Sequence, residues 1–234
     1  MTDSRQADGT VPALDRATIA LVRQSARITA GSEAEIRAGF AECAAAEVSF
    51  QWQDELVLQS YLFAGFPRAL NAAREWRRSC AAGGSGDRPG PTGEQLDSAS
   101  VEDDVAEGYA WAFEWRLRGE QTCETVYGAF YEKLRGNIRA LSPALDEWMI
   151  VEGYGKVLSR PGLDLGRREL CIIAACAASG QDRQLHSHLH GALNAGVAPI
   201  AVLEALEALN GVVQAGMRER AVKLLERVLA RKVK

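Results

Sequence analysis

The chain has 234 residues, of which 47% are apolar and 25% charged, enough to bury one ample core or two small ones. Its formal net charge is −4 and its basic residues are scattered among acidic ones, which argues against nucleic acid as a partner. The first ten residues lack the apolar segment of a signal peptide, and no apolar run approaches the roughly 20 residues that span a bilayer. We therefore expect no membrane partner and a cytoplasmic location.

The pattern of apolar residues and chain-breaking residues divides the chain into four segments. Residues 1–12 are polar and are expected to be flexible, whereas the helical periodicity of residues 13–80 predicts a first helical module. Residues 81–98 include GGSGDRPGPTG, whose glycines and prolines predict a linker. Residues 99–234 form a second helical module. No alternating strand pattern is present, so the sequence predicts an all-α fold.

The second module opens with two predicted helical runs, residues 103–117 and 120–141. The first run carries an aromatic stripe, which favours a core or a subunit interface; its members are Tyr109, Trp111, Phe113 and Trp115. Downstream, the glycines of GYGKVLSRPGL and its Pro161 predict an irregular loop.

The segment LCIIAACAA, residues 170–178, is apolar on all sides, which predicts a centrally buried helix. Gly180 is expected to end this helix, and Asp182 to cap the next one. Residues from 199 to about 228 are expected to supply the last helices.

The two modules are weakly alike, which predicts a tandem pair. Leu21–Gly31, Val48, Glu55 and Ala64–Gly65 in the first module parallel Leu170–Gly180, Val197, Glu204 and Ala215–Gly216 in the second. The register requires a two-residue insertion in the second module near the end of the alignment.

The five cysteines form no C-x-x-C pair and are odd in number, so we expect reduced thiols rather than a disulfide framework or a dithiol motif. Cys171 and Cys176 are five residues apart on one predicted helix, about 140° around its axis, which is unsuitable for a disulfide. Packing is the favoured role for both residues.

All three histidines lie within five residues, at positions 186, 188 and 190. His188 falls on the apolar stripe of its predicted helix and is expected to point inward, which on pattern alone favours a hydrogen-bonded core residue. His186 and His190 are four residues apart and could clamp a metal, but no carboxylate nearby completes a known motif. We expect both on the solvated face, and no metal.

The segments RPGLDLGRREL and LHSHLHGALNAGV, with the apolar helix between them, resemble the carboxymuconolactone decarboxylase and alkylhydroperoxidase D-like family. The resemblance covers about residues 127–213. The segment QSYLFAGFPRALNA in the first module resembles a second, weaker copy. The resemblance implies an alkylhydroperoxidase D-like helical bundle of two pseudo-repeated modules that assembles as a homo-oligomer.

The peroxidase branch of this family combines a glutamate, a C-x-x-C pair and a histidine. Glu169 and His188 match the glutamate and histidine at the same interval of nineteen residues, whereas the two thiol positions hold Gln181 and Gln184. Peroxide reduction by this route needs one thiolate to attack and a second to resolve the sulfenate. The resemblance therefore implies the decarboxylase branch.

In that branch, we expect cofactor-free proton transfer or decarboxylation of a small carboxylated lactone or related acid. His188 would donate the proton, and Glu169 would orient it. In the first module the equivalent positions are Ala20 and Gly39, neither of which can move a proton. We therefore expect one site per chain.

Other residues near the predicted loop are expected to bind the substrate. Arg168, followed by Arg160, is the candidate partner of the substrate carboxylate, and Tyr154 is a candidate site wall. Cys176 is the one thiol expected near His188, so a thiol-dependent peroxidase stays as one alternative. A non-catalytic module for oligomerisation or binding is the second.

Overall fold

The computed structural model describes residues 13–82 and 104–232, so the predicted flexible segment 1–12 and most of the predicted linker lie outside the described residues. In chain order the α-helices are α1 (Arg16–Ala30), α2 (Glu33–Ala45), α3 (Phe50–Gln59), α4 (Tyr61–Ala82), α5 (Asp104–Tyr127), α6 (Tyr131–Leu141), α7 (Pro143–Trp148), α8 (Leu165–Ser179), α9 (Asp182–Asn194), α10 (Pro199–Glu207) and α11 (Ala215–Lys232). A 3₁₀ helix (Gly128–Phe130) precedes α6, and a π-helix (Met149–Leu158) follows α7. These residues contain no β-strand, which confirms the all-α prediction. Within the same ranges no helix combines the length and apolar character that a membrane span requires.

Helix α8 is the centre of the molecule. The side chain of Asp164 caps its first turn by accepting a hydrogen bond from the Arg167 backbone N–H, at 3.0 Å. Gly180 ends the helix in a left-handed conformation, with φ 69°. Every residue from 168 to 178 is buried, as the apolar run predicts.

The two modules share one core. Helix α1 of the first module packs along α8 of the second, and the Ser25 hydroxyl donates a 2.7 Å hydrogen bond to the Cys171 carbonyl across this contact. A single cluster of buried apolar side chains includes residues of both modules, among them Leu21, Phe40, Ile172 and Leu189. The apolar content therefore forms one large core rather than two small ones.

The helices of the two modules follow one another in matching order. Helices α1 to α4 contain 15, 13, 10 and 22 residues, and α8 to α11 contain 15, 13, 9 and 18. Both series begin after a capping aspartate, Asp15 or Asp164. This order supports the proposal that the modules are related copies.

Two predictions for this part of the second module are wrong in part. They are the helix break between residues 117 and 120 and the irregular loop that begins at Gly153. Residues 104–127 form one helix, GYGKVL belongs to the π-helix, and the irregular turn begins only at Ser159. A Cβ on Gly119 would lie 2.2 Å from the Ile150 carbonyl oxygen, and one on Gly155 would lie 1.9 Å from that of Trp115. These glycines let α5 and the π-helix touch backbone to backbone, so they do not break a helix.

The predicted cap of α9 is displaced by one residue. Asp182 is the first residue of the helix, and Gln181 precedes it without a side-chain capping hydrogen bond. The acidic side chain still lies in the first turn, where the helix dipole favours a negative charge.

Candidate active site

The structure brings Glu169 and His188 together. Helix α8 presents Glu169 and helix α9 presents His188, whose Nδ1 lies 2.8 Å from Oε2 of the carboxylate. Their side chains are 0% and 7% exposed, so the pair is enclosed by protein. Gly191, one turn after His188, makes room for the carboxylate, because a Cβ there would lie 2.5 Å from Oε2.

The second oxygen of Glu169 is the unusual feature of the pair. Oε1 is buried and has no hydrogen-bond partner among the described residues. Buried carboxylate oxygens are nearly always hydrogen-bonded, so an orphaned one calls for an explanation. As an ionised carboxylate oxygen it can only accept, so any ligand group that meets it would have to donate a hydrogen bond.

Two tyrosines and two cysteines lie near this carboxylate. Burial raises the pKa of Cys123, Tyr127 and Cys176 to about 12, and the negative charge of Glu169 adds to each increase. Burial also raises the pKa of Tyr154 well above its usual value of 10.0, with nearby Tyr127 as the next cause. All four groups are therefore neutral near pH 7.

Tyr127 is a site residue that the sequence reasoning missed. It ends α5, and its ring meets that of Tyr154 edge to face, with centroids 6.2 Å apart. Its spacing from neighbouring apolar residues was consistent with an ordinary core position, so no sequence signal marked it. Tyr154, the predicted site wall, is buried in the π-helix beside it.

The structure does not bring the predicted arginines to this pair. Arg168 is fully buried, and its Nη2 donates to Glu55 Oε2 at 2.8 Å. Arg160 donates to the same carboxylate at 3.0 Å. A substrate carboxylate could bind Arg160 or Arg168 only by displacing the Glu55 carboxylate from it. Glu55 lies 113 positions from Arg168, a separation that hides the pairing from sequence.

The remaining histidines lie half-buried on α9, with ring centroids 4.9 Å apart. Burial, followed by the charges of Arg231 and Arg227, lowers the pKa of His186. In the described part of the chain, no group of three or more His, Cys, Asp or Glu side chains is arranged to hold a metal. All five cysteines are free thiols.

The corresponding positions in the first module carry no such pair. A Cβ on Gly39 would lie 1.6 Å from Oε1 of Gln24, so the Gln24 side chain fills the space next to this position. Its Nε2 donates a 3.0 Å hydrogen bond to the Ile36 carbonyl. With Ala20 as the other counterpart, no ionisable side chain occupies either position.

One comparison with known proteins matches the part of the chain that contains Glu169 and His188. The model of the carboxymuconolactone decarboxylase family matches residues 143–226, from α7 into α11. No curated protein matches the chain. The match lies wholly within the second module, and the relation of the first module to the family stays a prediction. Residues 143–226, which include Glu169 and His188, are therefore similar to the carboxymuconolactone decarboxylase family.

Proposed function

We propose that this protein is a cofactor-free enzyme that transfers a proton during decarboxylation of a small carboxylated lactone or related acid. The observation that carries the proposal is the enclosed His188–Glu169 pair with its orphaned carboxylate oxygen. A histidine fixed by a carboxylate is a common general acid/base. A small-molecule substrate in the cytoplasm is part of this proposal.

We propose a separate role for each ring nitrogen of His188. Nδ1 faces Glu169 and donates its proton to Oε2, and in the imidazolium form Nε2 carries a second proton, which is the one to be transferred. When the bond between the substrate and its carboxylate breaks, carbon dioxide leaves and the electron pair remains as an enolate. Protonated Nε2 then delivers its proton to the enolate carbon. A proton from solvent restores the histidine.

The tyrosines support the same chemistry. Because burial raises the pKa of Tyr127 to about 12 and that of Tyr154 well above its usual value of 10.0, both hydroxyls keep their protons at neutral pH. A neutral hydroxyl in a buried setting is a suitable donor to a developing enolate oxygen. We propose that Tyr127, whose hydroxyl accepts a hydrogen bond from Tyr154, donates to that oxygen while Glu169 Oε1 accepts from a donor on the substrate.

A thiol-dependent peroxidase is the less favoured function. Attack on a peroxide requires a thiolate, and burial raises the pKa of Cys176 to about 12. At pH 7 such a group is almost entirely protonated. The residues at the two thiol positions of the peroxidase branch, Gln181 and Gln184, supply neither an attacking nor a resolving thiol.

The test is turnover of carboxymuconolactone and related carboxylated lactones, followed by release of carbon dioxide. We expect Glu169→Gln and His188→Gln each to lower kcat by about 10²- to 10⁴-fold. His186→Gln is the matched control on the same helix and should leave kcat unchanged. Cys176→Ser should also leave it unchanged.

The alternatives predict different results in this experiment. Loss of a peroxidase activity in Cys176→Ser, with none in His188→Gln, would favour the thiol function. If no variant affects turnover of any substrate in the set, the non-catalytic alternative is favoured. A wild-type protein that releases no carbon dioxide from these lactones contradicts the proposed substrate class.

We also propose self-association through an apolar surface on α5 and α7. Phe113 and Trp148 are 68% and 62% exposed, and an ion pair between Arg116 and Glu147 joins the two helices beside them. Large exposed apolar side chains grouped in this way are typical of interfaces. Trp148→Glu should lower the molar mass measured by light scattering, whereas Ile200→Glu on α10 should not.

A further inference from the structure

We propose that the first module is a positioning component of the site in the second. The inference rests on a stripe of three side chains, Glu55, Gln59 and Phe63, spaced four residues apart across the junction of α3 and α4. All three contact α8 or α9 at or beside the Glu169–His188 pair. The effect of this positioning stripe on catalysis rests on the proposed function.

At one end of the stripe, Glu55 anchors the start of α8. Its carboxylate accepts from Arg168 at 2.8 Å and from Arg160 at 3.0 Å, and the Arg168 side chain is entirely buried. Arg168 also donates to the Leu163 carbonyl at 3.0 Å, in the turn that leads into α8. The ion cluster therefore fixes both this turn and the residue immediately before Glu169.

In the middle of the stripe, Gln59 makes two hydrogen bonds with Arg168, one as acceptor and one as donor. Its Oε1 accepts from Arg168 Nη1 at 3.1 Å, and its Nε2 donates to the Arg168 backbone carbonyl at 3.4 Å. The second bond reaches the main chain of α8 one residue before Glu169. A shift of Gln59 is thus transmitted to the backbone that carries the carboxylate.

At the other end, Phe63 covers the histidine. Its ring meets the imidazole of His188 edge to face, with centroids 5.7 Å apart and an interplanar angle of 84°. Gly65, at φ 78°, and Pro67 then bend the chain within α4, so the next turn leaves in a new direction. Phe63 restricts the rotation of the imidazole ring and helps to exclude water from it.

Stereochemistry explains why such a stripe affects proton transfer. The direction of Nε2 follows from the ring orientation, which Glu169 fixes on one side and Phe63 on another. Errors of about 1 Å in the position of a catalytic group cost about a hundredfold in rate. The stripe is therefore expected to act on kcat and on the pH profile more than on KM.

The experiment compares two glutamines on α3. Gln59→Met removes both contacts to Arg168 and keeps the side-chain volume. The matched control Gln53→Met removes a 2.9 Å hydrogen bond from another buried glutamine of α3 to the Val48 carbonyl. For the aromatic end, Phe63→Leu is compared with Phe66→Leu, since Phe66 lies on the next turn and is 64% exposed.

The readouts are the ¹⁵N and ¹H signals of the His188 ring over pH, and the pH profile of kcat. We expect Gln59→Met and Phe63→Leu to shift the His188 signals and to lower kcat at least tenfold, with both controls like wild type. If the stripe variants fold and leave the His188 signals and the pH profile unchanged, the inference is overturned. Equal effects in the controls would overturn it as well.

The same data separate this inference from the proposed function. Glu169→Gln tests the acid/base pair without touching the stripe. If Glu169→Gln leaves turnover intact while Gln59→Met and Phe63→Leu still shift the His188 ring signals, the proposed function fails and the positioning contact stands.

Discussion

Replacing Gly191 by alanine tests the reasoning about the acid/base pair most directly. The new Cβ would lie 2.5 Å from Glu169 Oε2 and 2.7 Å from Val126 Cγ1, whereas ordinary contact begins at about 3.4 Å. Relief of the clash moves the carboxylate by up to about 1 Å, which stretches the 2.8 Å contact with His188 beyond hydrogen-bonding range. We expect kcat to fall about a hundredfold.

The stability of this variant provides an internal check. Overpacking costs about 1–3 kcal/mol, and the better helix propensity of alanine returns about 0.5–1 kcal/mol, so the free energy of unfolding falls only modestly. Gly136→Ala on α6 is the control, because a Cβ there meets nothing within 4 Å. Urea unfolding and the His188 ring signals are measured in both variants. A folded Gly191→Ala protein with wild-type kcat and unchanged His188 signals would refute the assigned geometry.

Three further predictions concern buried charge and buried thiols. Glu55→Gln leaves Arg160 and Arg168 without their carboxylate, so the free energy of unfolding should fall by about 3–5 kcal/mol; a loss below about 1 kcal/mol in urea unfolding would contradict this. Because the folded-state pKa of Cys123 and of Cys176 is raised from 9.0 to about 12, their stabilising contribution is complete below pH 9 and is lost as the pH rises towards 12. At pH 10 each thiol should reduce the free energy of unfolding by about 1.4 kcal/mol, and Cys176→Ala should flatten that decline. Native Cys176 should also react with iodoacetamide far more slowly at pH 8 than in urea-unfolded protein; equal rates would show an accessible thiolate.

Local patterns were sufficient to predict the centre of the fold. An apolar run without a polar face predicts a buried α8, because no side of it can meet water. The family resemblance implied that Glu169 and His188 meet, because the two residues match the family's glutamate and histidine, and Nδ1 of His188 does lie 2.8 Å from Oε2 of Glu169. Both predictions depend on contacts between neighbouring elements of the chain.

Contacts between distant segments could not be predicted in this way. Local sequence predicts Arg168 as a substrate ligand, because its actual partner Glu55 lies far along the chain in the other module. Gly155 is likewise predicted to lie in a loop, although that glycine allows the π-helix to touch α5. A glycine that permits close packing and a glycine that breaks a helix look the same until the neighbouring element is known.

The two modules contact each other through two glutamates, Glu55 and Glu204, which the predicted alignment of the modules places at matching positions. Glu55 on α3 holds the residues around the start of α8, and Glu204 at the matching position on α10 accepts from the backbone N–H groups of Ala13 and Leu14, at 2.9 and 2.8 Å, just before α1. Each glutamate thus fixes the chain entering a helix of the other module, which is α8 for Glu55 and α1 for Glu204. Only the contact made by Glu55 is buried between charged partners, and only that contact adjoins Glu169. Loss of the first module would therefore remove the support of α8 at the residue next to the proposed catalytic carboxylate.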